Sequence, residues 1–452
     1  MLEPSNSTTG DAQVGMYEER SGRTKVRRRV PERGVALKYL ATISHRHPND
    51  PLRQARVLLR AVGIQALTGR ERPVSSETRI AYERRLGATL KDLHSLNIRL
   101  RNLSELSAKH VARVVAYWEE QQLSASSLQN RYTVLARMLL WLGKDHELLP
   151  LRRLLKNPAS CRRSLIRLEG HGFSSQGRDV EDFIERAYER NATFGIQCDL
   201  MNQFGLRPEE VVMFRPIEAD EVNRIRVHLG TKGGKPRVVA IRTSKQREVL
   251  DRAKTFVLAN PHKKGTFQEA TGMTLVQAQR RLRLHAEALG LTKKASGLTL
   301  YSFRHEFAVR TYEELAGEKA PILGGKPSRL KDAEVRGTLT AYLGHHRKSV
   351  TGAYCSTVPS MDRAVRQRLE KLQVGFKDPE VVSQLRAAGV TAVVITGAAA
   401  RGDVIKDQVV VAVAGEAGCE GRCLLTLEAV LHAQVSFISM ERAASGDTFE
   451  VF

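Results

Sequence analysis

Long apolar segments and paired cysteines are both scarce in this sequence. Its longest apolar runs, at 390–400 and 409–414, are well short of the roughly 20 residues that a membrane-spanning helix needs. The stretch after Met1 is polar, so we expect neither a secretory signal nor a membrane anchor. The five cysteines are scattered, and no second Cys or His pair stands beside Cys419 and Cys423, so we expect no disulfide framework and no metal site. These features indicate a reduced, cytoplasmic protein.

Acidic residues are too few to balance the basic ones. The 452 residues include 72 Lys and Arg against 49 Asp and Glu, which gives a formal net charge of +23. Hydrophobic residues make up 42% of the chain, which is enough for packed cores. An excess of this size normally needs a polyanion as partner, and it argues against most small-molecule metabolic enzymes. Without a membrane segment, the charge predicts binding to double-stranded DNA.

The charge and the residue pattern change along the chain and predict four regions. Residues 377–452 carry a net charge of −4, which leaves +27 for the first 376 residues. This acidic segment alternates β-rich runs with glycine-containing turns, so we expect a small α/β module of unknown role. Before it we expect a basic N-terminal arm that is partly disordered (1–70), a helical DNA clamp (71–160) and a larger domain (170–376).

The predicted clamp has apolar residues at helical spacing in three successive segments, near 78–96, 106–118 and 123–142. Three or four short helices would bury this apolar stripe and leave arginines on the outer face. A basic linker follows these segments. The candidates for DNA contact in the clamp and linker are Arg79, Arg131, Arg137, Arg162 and Arg163. For any single arginine, a solvated surface position is the usual alternative.

Four segments of the larger domain stand out by their composition and order. They are, in chain order, Gly205-Leu206-Arg207, the turn Gly230-Thr231-Lys232-Gly233-Gly234-Lys235 of a predicted β-hairpin, Tyr301-Ser302-Phe303-Arg304, and Leu343-Gly344-His345 followed nine residues later by Tyr354. Each run alone is common, but four in this order on a strongly basic chain are a strong signal. The pattern resembles the tyrosine recombinase (phage integrase) family over 75–376.

The resemblance implies a fold that is mainly α with a small β-sheet (α+β). It would comprise a helical core-binding domain, a catalytic domain and, here, a small C-terminal α/β appendage. The implied activity is that of a site-specific DNA recombinase, an integrase that cuts and rejoins strands through a 3′-phosphotyrosyl intermediate to integrate or excise a mobile genetic element. No cofactor or metal is implied. The implied partners are attachment-site DNA, further copies of the chain in a tetramer on DNA, and an accessory directionality factor, in the bacterial cytoplasm at the nucleoid.

The resemblance also implies roles for individual residues. Tyr354 occupies the position of the nucleophile. Arg207 and Arg304 match the two family arginines, and guanidinium groups suit the geometry of a phosphate. For each arginine the alternative is a structural salt bridge, for example with Glu210. His345 matches the position where the family has His or Trp, and there it would hydrogen-bond the scissile phosphate.

The hairpin turn is expected to supply the proton for the leaving 5′ oxygen. Lys232 best matches the family lysine with this role, and Lys235 is the second match. A non-specific phosphate contact is the better interpretation of Lys235, and Arg237 is likewise a candidate for DNA contact. The glycines of the turn allow its backbone to approach DNA closely.

Two features depart from the family pattern. Three residues before Arg304 the family usually has His, and this sequence has Tyr301, which is a poorer proton carrier at neutral pH. The interval from Arg304 to His345 is also long, and its extra residues, 317–329, read as an inserted loop that either contacts DNA or is neutral. His305 is interpreted as a packing or secondary contact.

Three alternatives remain open from the sequence. A type IB topoisomerase-like enzyme, which nicks and rejoins DNA, uses similar residues. A DNA-binding protein that has lost catalysis would also fit, and Tyr301 keeps that alternative alive. A third alternative is that the acidic module defines the biological role by recruiting a partner.

Overall fold

The computed structural model describes residues 34, 36–61, 76–261, 265–268, 272–396, 408–431, 433–444 and 448–451. The chain divides into two compact units, Met1–Arg163 and Ser164–Phe452, and each has its own hydrophobic core. Over these described residues, no helix has the length and apolar character needed to cross a membrane. The predominance of helices, with two small sheets, confirms the predicted α+β class.

The first unit is a helical bundle. Its helices are α1 (Leu37–Arg46), α2 (Pro51–Ala61), α3 (Ser76–Ser95), α4 (Ala108–Glu120), α5 (Ala125–Trp141) and the short α6 (Leu151–Leu154). Helices α3, α4 and α5 confirm the three helical segments predicted from apolar spacing. Their core includes Trp118 and Trp141, both fully buried.

The first unit begins earlier than the predicted clamp. Helices α1 and α2 lie within 1–70, the region predicted as a partly disordered arm, and yet they contribute Leu40, Ile43, Leu58 and Leu59 to the core of the bundle. Apolar residues three and four positions apart give these two helices a buried face despite their many basic residues. The basic cluster at 20–33 lies outside the described residues.

The second unit begins with a mostly helical region. It contains α7 (Val180–Arg190), α8 (Ala192–Phe204), α9 (Pro208–Met213), α10 (Pro216–Ala219), α11 (Ser244–Ala259), α12 (Leu275–Ala288), α13 (Ser302–Ala316), α14 (Arg329–Tyr342), α15 (Gly352–Cys355) and α16 (Val358–Phe376). Helix α8 is buried along nearly its whole length, and α7, α11 and α13 pack around it. This central helix ends at Phe204, directly before the turn that leads to Arg207.

A two-stranded antiparallel hairpin crosses this region. Strand β1 (Arg224–Val227) pairs with β2 (Arg237–Ala240) so that Val227 lies opposite Arg237. The strands confirm the predicted hairpin. Gly230 in the connecting segment has φ +67°, and a Cβ there would lie 2.8 Å from the carbonyl oxygen of Glu209. Glycine therefore lets the hairpin pass close to the first turn of α9.

The C-terminal residues form the predicted α/β module. Strands β3 (Val390–Thr396), β4 (Gln408–Gly415), β5 (Gln434–Phe437) and β6 (Thr448–Glu450) make one sheet in the order β5-β4-β3-β6. Helices α17 (Pro379–Ala387), α18 (Cys419–Leu431) and α19 (Met440–Ala443) accompany it. The β4-β5 pair is parallel, and α18 makes the crossover between them. The module has its own apolar core, which begins at Phe376.

Candidate active site

Arg304 lies at the centre of the candidate site. It is on the first turn of α13, and only 1% of its surface is exposed. Its guanidinium donates hydrogen bonds to the carbonyl oxygens of Gly205 and Leu343, and its Nε donates to the Tyr354 hydroxyl over 3.3 Å. Burial and the nearby charge of Arg237 lower the pKa of Arg304 to about 10, so it stays charged at neutral pH.

Arg207 reaches the same place from the start of α9. Its guanidinium forms an ion pair with Glu210 and donates to the Leu343 carbonyl oxygen over 3.1 Å. Arg207 and Arg304 therefore share one main-chain acceptor, at the end of α14. The ion pair with Glu210 that was the alternative role for Arg207 is present, and it coexists with a position beside Arg304.

Glu210 is a fully buried carboxylate between two arginines. Besides Arg207, it accepts a 2.8 Å hydrogen bond from Arg237. Burial alone would raise its pKa, but the charge and hydrogen bonds of Arg237 and the charges of Arg207 and Arg304 outweigh it and lower the pKa to about 2. The carboxylate therefore stays ionised and offsets part of the positive charge that the arginines concentrate here.

Arg237 is not the surface DNA contact that the sequence predicted. Only 2% of its side chain is exposed, and its donors go to Glu210 and to the carbonyl oxygens of Gly205 and Tyr342. The reason is its place in β2, where Arg237 and Val239 share the inward face. Arg237 thus belongs to the scaffold under the site.

Tyr354 and His345 complete a compact group. Tyr354 is half-buried on the short helix α15, and its hydroxyl lies 3.4 Å from Nε2 of His345. Burial lowers the pKa of His345 to about 4, and the positive charges of Arg304 and Arg207 act in the same direction. The imidazole is therefore neutral at physiological pH. Arg207, Arg304, His345 and Tyr354, predicted from three of the four sequence segments, are brought together.

Lys232 lies apart from this buried group, on the exposed turn of the hairpin. The turn is one short 3₁₀ segment, Lys232–Gly234, and Gly233 and Gly234 both have positive φ. The charge of Lys232 contributes to lowering the pKa of His345, so the lysine is near enough to act on the site electrostatically. Lys235 is also exposed, as a DNA contact requires.

The structure places His305, not Tyr301, against the nucleophile candidate. Tyr301 precedes α13 and is 54% exposed, whereas the His305 ring packs on the Tyr354 ring with centroids 4.7 Å apart. His171 packs in turn on His305 at 5.5 Å. Burial, together with the charges of His171 and Arg167, lowers the pKa of His305 to about 4. Apart from its position next to Arg304, nothing in the sequence pattern indicates this contact of His305.

The other candidates for DNA contact differ in exposure. Arg162 and Arg163 are exposed, and Arg163 also donates to the Ser126 carbonyl oxygen over 2.9 Å. Arg131 is partly buried, paired with Asp92 at 2.5 Å and stacked over Trp118. Arg79 pairs with Glu83 at 4.0 Å on α3, and burial lowers the pKa of Arg137.

This arrangement suits chemistry at a phosphate. The phenol hydroxyl of Tyr354 accepts a hydrogen bond from Arg304 and lies beside the neutral imidazole of His345. The guanidinium of Arg207 shares the Leu343 carbonyl oxygen with Arg304. Fixed cations such as these guanidinium groups stabilise charge that develops on phosphate oxygens. Among the described residues, no cluster of His, Cys, Asp and Glu could hold a metal ion.

Several solved structures are similar to this chain. A lambda integrase dimer bound to a COC′ core site shares 15% identity over 71% of this chain and 80% of that chain, with a TM-score of 0.42. XerH site-specific recombinase in a post-cleavage complex with palindromic difH substrate shares 16% sequence identity over 66% of this chain and 80% of that chain, with a TM-score of 0.41. The Tn1549 transposon integrase in complex with circular intermediate DNA shares 15% sequence identity over 65% of this chain and 94% of that chain, with a TM-score of 0.38. No curated protein sequence matches the chain.

Two family models match consecutive parts of the chain. The model described as "Phage integrase, N-terminal" matches residues 65–148, and the model described as "Integrase" matches residues 169–310. The second match contains Arg207, Lys232 and Arg304, whereas His345 and Tyr354 follow it and join the site through the contacts described above. Together the two matches take in half of the chain, in the order that the resemblance predicted. The chain belongs to the phage integrase family of tyrosine recombinases.

Proposed function

We propose that this recombinase cuts and rejoins double-stranded DNA with Tyr354 as its nucleophile, in the integration and excision of a mobile genetic element. The observation that carries the proposal is the hydroxyl of Tyr354, which lies within 3.4 Å of both the Arg304 guanidinium and the His345 imidazole. An unperturbed phenol has a pKa near 10 and is a weak nucleophile, so it needs such neighbours to lose its proton.

In the first step, the Tyr354 oxygen attacks the scissile phosphorus. The bond from phosphorus to the 5′ oxygen breaks, and a 3′-phosphotyrosyl bond forms. Neutral His345 can accept the phenol proton through Nε2, and Lys232 protonates the leaving 5′ oxygen. Arg207 and Arg304 neutralise the charge on the non-bridging oxygens, for which each well-placed donor supplies about 2.7–4 kcal/mol.

In the second step, a 5′ hydroxyl of the partner strand attacks the phosphotyrosine. A phosphorus–5′ oxygen bond forms and the bond from phosphorus to the Tyr354 oxygen breaks. The hydroxyl proton passes to Lys232, and the phenol regains its proton from His345. No energy source is needed because the covalent intermediate conserves the energy of the phosphodiester bond. Exchange of both strands between two duplexes breaks four phosphodiesters. Since each copy of the chain has one Tyr354, we infer that four copies assemble on the DNA.

The DNA contacts are proposed for the exposed basic residues. Lys235, Arg162 and Arg163 are accessible, and phosphate contacts of this kind make binding strongly salt-dependent. A bacterial cytoplasmic location at the nucleoid, and an accessory directionality factor, are parts of the same proposal. They follow from the family and from the DNA substrate that it implies.

The experiment that tests the proposal is covalent trapping. Nicked duplexes that tile the DNA flanking the gene are mixed with the protein, and denaturing gels reveal protein joined to DNA. We expect the wild type to be trapped on one tile and Tyr354→Phe to bind the same tile without being trapped. Trapping of Tyr354→Phe, or no trapping of the wild type on any tile, would contradict the proposal.

A second assay on the trapped tile separates recombination from topoisomerase activity. Two plasmids that carry the tile should recombine in the presence of the wild-type protein. Relaxation of supercoils without any recombinant product would favour the type IB topoisomerase-like alternative. A protein that binds a tile in the first assay but is trapped on none of the tiles would instead be a DNA-binding protein that has lost catalysis.

A further inference from the structure

The helix that carries Tyr354 is too short to be stable without contacts from the rest of the protein. Helix α15 spans only Gly352–Cys355, a single turn, and it sits between a 3₁₀ segment and the start of α16. One turn of helix is marginal without outside contacts. The position of the Tyr354 hydroxyl therefore depends on the contacts that hold the residues at the two ends of α15.

A buried arginine of α14 forms hydrogen bonds at both ends of α15. Arg336, only 6% exposed, donates from Nη1 to the Thr351 hydroxyl over 3.0 Å and from Nη2 to the Ser356 carbonyl oxygen over 2.6 Å. Thr351 immediately precedes α15 and Ser356 immediately follows it. Two donors of one planar guanidinium thus bond to the residues that flank the helix of Tyr354 on either side.

The guanidinium is itself fixed. Its Nε donates to Asp332 over 2.7 Å, and the same carboxylate accepts a hydrogen bond from the hydroxyl of Tyr312. The guanidinium carbon lies 5.6 Å from the centre of the Tyr312 ring. Because a planar fork held in this way loses little freedom when it donates further bonds, it can act as a rigid brace.

Ser356 shows that the brace holds the chain in a strained state. Its backbone has φ +55° and ψ −160°, a conformation that costs residues other than glycine free energy. The residue is fully buried, and its hydroxyl oxygen has no hydrogen-bond partner among the described residues. The Ser356 carbonyl oxygen is the atom that accepts from Arg336. Arg336 therefore bonds to the same residue that has the strained backbone, two positions after Tyr354.

We propose that Arg336 is a positioning residue of this recombinase, which holds Tyr354 in the attacking position by bracing Thr351 and Ser356. The inference rests on the proposed function of Tyr354. Arg336 touches neither the phenol nor the phosphate site, so its loss leaves the catalytic groups present but lets α15 shift. A shift of about 1 Å can cost roughly 100-fold in rate.

The test compares two arginines that make similar bonds. Arg310 on α13 donates to the carbonyl oxygen of Asn202 over 2.6 Å, as Arg336 does to that of Ser356. Its hydrogen bonds go to Asn202, not to the residues that flank α15. Arg336→Lys and Arg310→Lys are compared by thermal unfolding, by affinity for the trapped duplex, and by the single-turnover rate of covalent adduct formation at saturating protein. We expect both variants to lose stability and to retain DNA affinity, with only Arg336→Lys losing about 10- to 100-fold in rate.

A second variant keeps the proposal testable even if Arg336→Lys does not fold. Thr351→Val keeps the shape of the side chain and removes one of the two acceptors, so we expect an intermediate loss of rate. Equal rate losses in Arg336→Lys and Arg310→Lys would overturn the proposal, as would a wild-type rate in Thr351→Val. Failure of the proposed function would look different, because Tyr354→Phe would then be trapped or the wild type would not be.

Discussion

Glu210 shows how a single buried charge makes the site possible. The arginines at 207, 237 and 304 converge on a region from which water is largely excluded, and the Glu210 carboxylate pairs with two of them. Without it, the mutual repulsion of these cations would have to be overcome by packing alone. Removing one partner from a buried pair is strongly destabilising, because the remaining charge is left uncompensated.

Glu210→Gln should therefore lower the free energy of unfolding at pH 7 by about 3–5 kcal/mol. The control is Glu218→Gln, because Glu218 pairs with Arg215 at the same spacing but on the surface, where such a pair contributes about 0–1 kcal/mol. Urea unfolding of the three proteins measures both effects. Equal losses in the two variants would show that burial does not decide the contribution of Glu210.

The pH dependence of this loss has a defined sign. The pKa of Glu210 is lowered in the folded state from 4.5 to about 2. Its contribution is therefore fully present above pH 4.5 and is lost as the pH falls toward 2. The stability difference between wild type and Glu210→Gln should narrow over that interval, since other carboxylates titrate equally in both proteins.

The sequence predicts which residues meet at the candidate site better than it predicts the residues that support them. Arg207, Arg304, His345 and Tyr354 come from motifs whose order is specific. Arg237, by contrast, is predicted to contact DNA but is buried in the structure. Its true position depends on where β2 begins, since only the strand's alternation puts Arg237 on the same face as Val239.

At the scale of elements, the hairpin and the helices contribute different kinds of residue to the candidate site. Helices α9, α13 and α15 fix buried groups, whereas the hairpin presents Lys232 on an exposed turn with two glycines at positive φ. A proton donor for the leaving oxygen has to meet the DNA from outside. An exposed turn is suited to that role, because it can adjust to the bound duplex.

Lys232→Ala should slow cleavage of an ordinary phosphodiester by about 100-fold or more, because the 5′ oxygen loses its proton donor. Sulfur in place of that oxygen leaves without protonation, so a 5′-bridging phosphorothiolate duplex should restore the rate. Lys235→Ala, in the same turn, should weaken binding and respond equally to both substrates. An equal slowing of both substrates by Lys232→Ala would exclude it as the proton donor.

Element boundaries were harder to predict than element types. The three helices of the first unit and both strands of the hairpin follow from apolar periodicity. Helices α1 and α2 were missed because their basic composition suggested a solvated arm. Their buried leucines and isoleucine nevertheless lie at helical spacing, and the core that they join forms only with α3, α4 and α5.

At the scale of the whole molecule, the net charge is unevenly distributed. The first 376 residues carry +27 and the C-terminal module −4. The module builds its own hydrophobic core from α17, α18 and its four-stranded sheet. Its exposed carboxylates include Asp378, Glu380, Glu416 and Glu420. We infer that this surface faces away from the phosphate backbone.

Neutralising those four carboxylates to their amides tests this inference in the full chain. If the module does not face DNA, the slope of log affinity against log salt should stay that of the wild type, although the net charge rises by four. Lys235→Gln should reduce the slope by about one, as loss of a phosphate contact does. A steeper slope in the fourfold variant would mean that the acidic surface covers phosphate-binding residues in the free protein, so that the module restrains DNA binding.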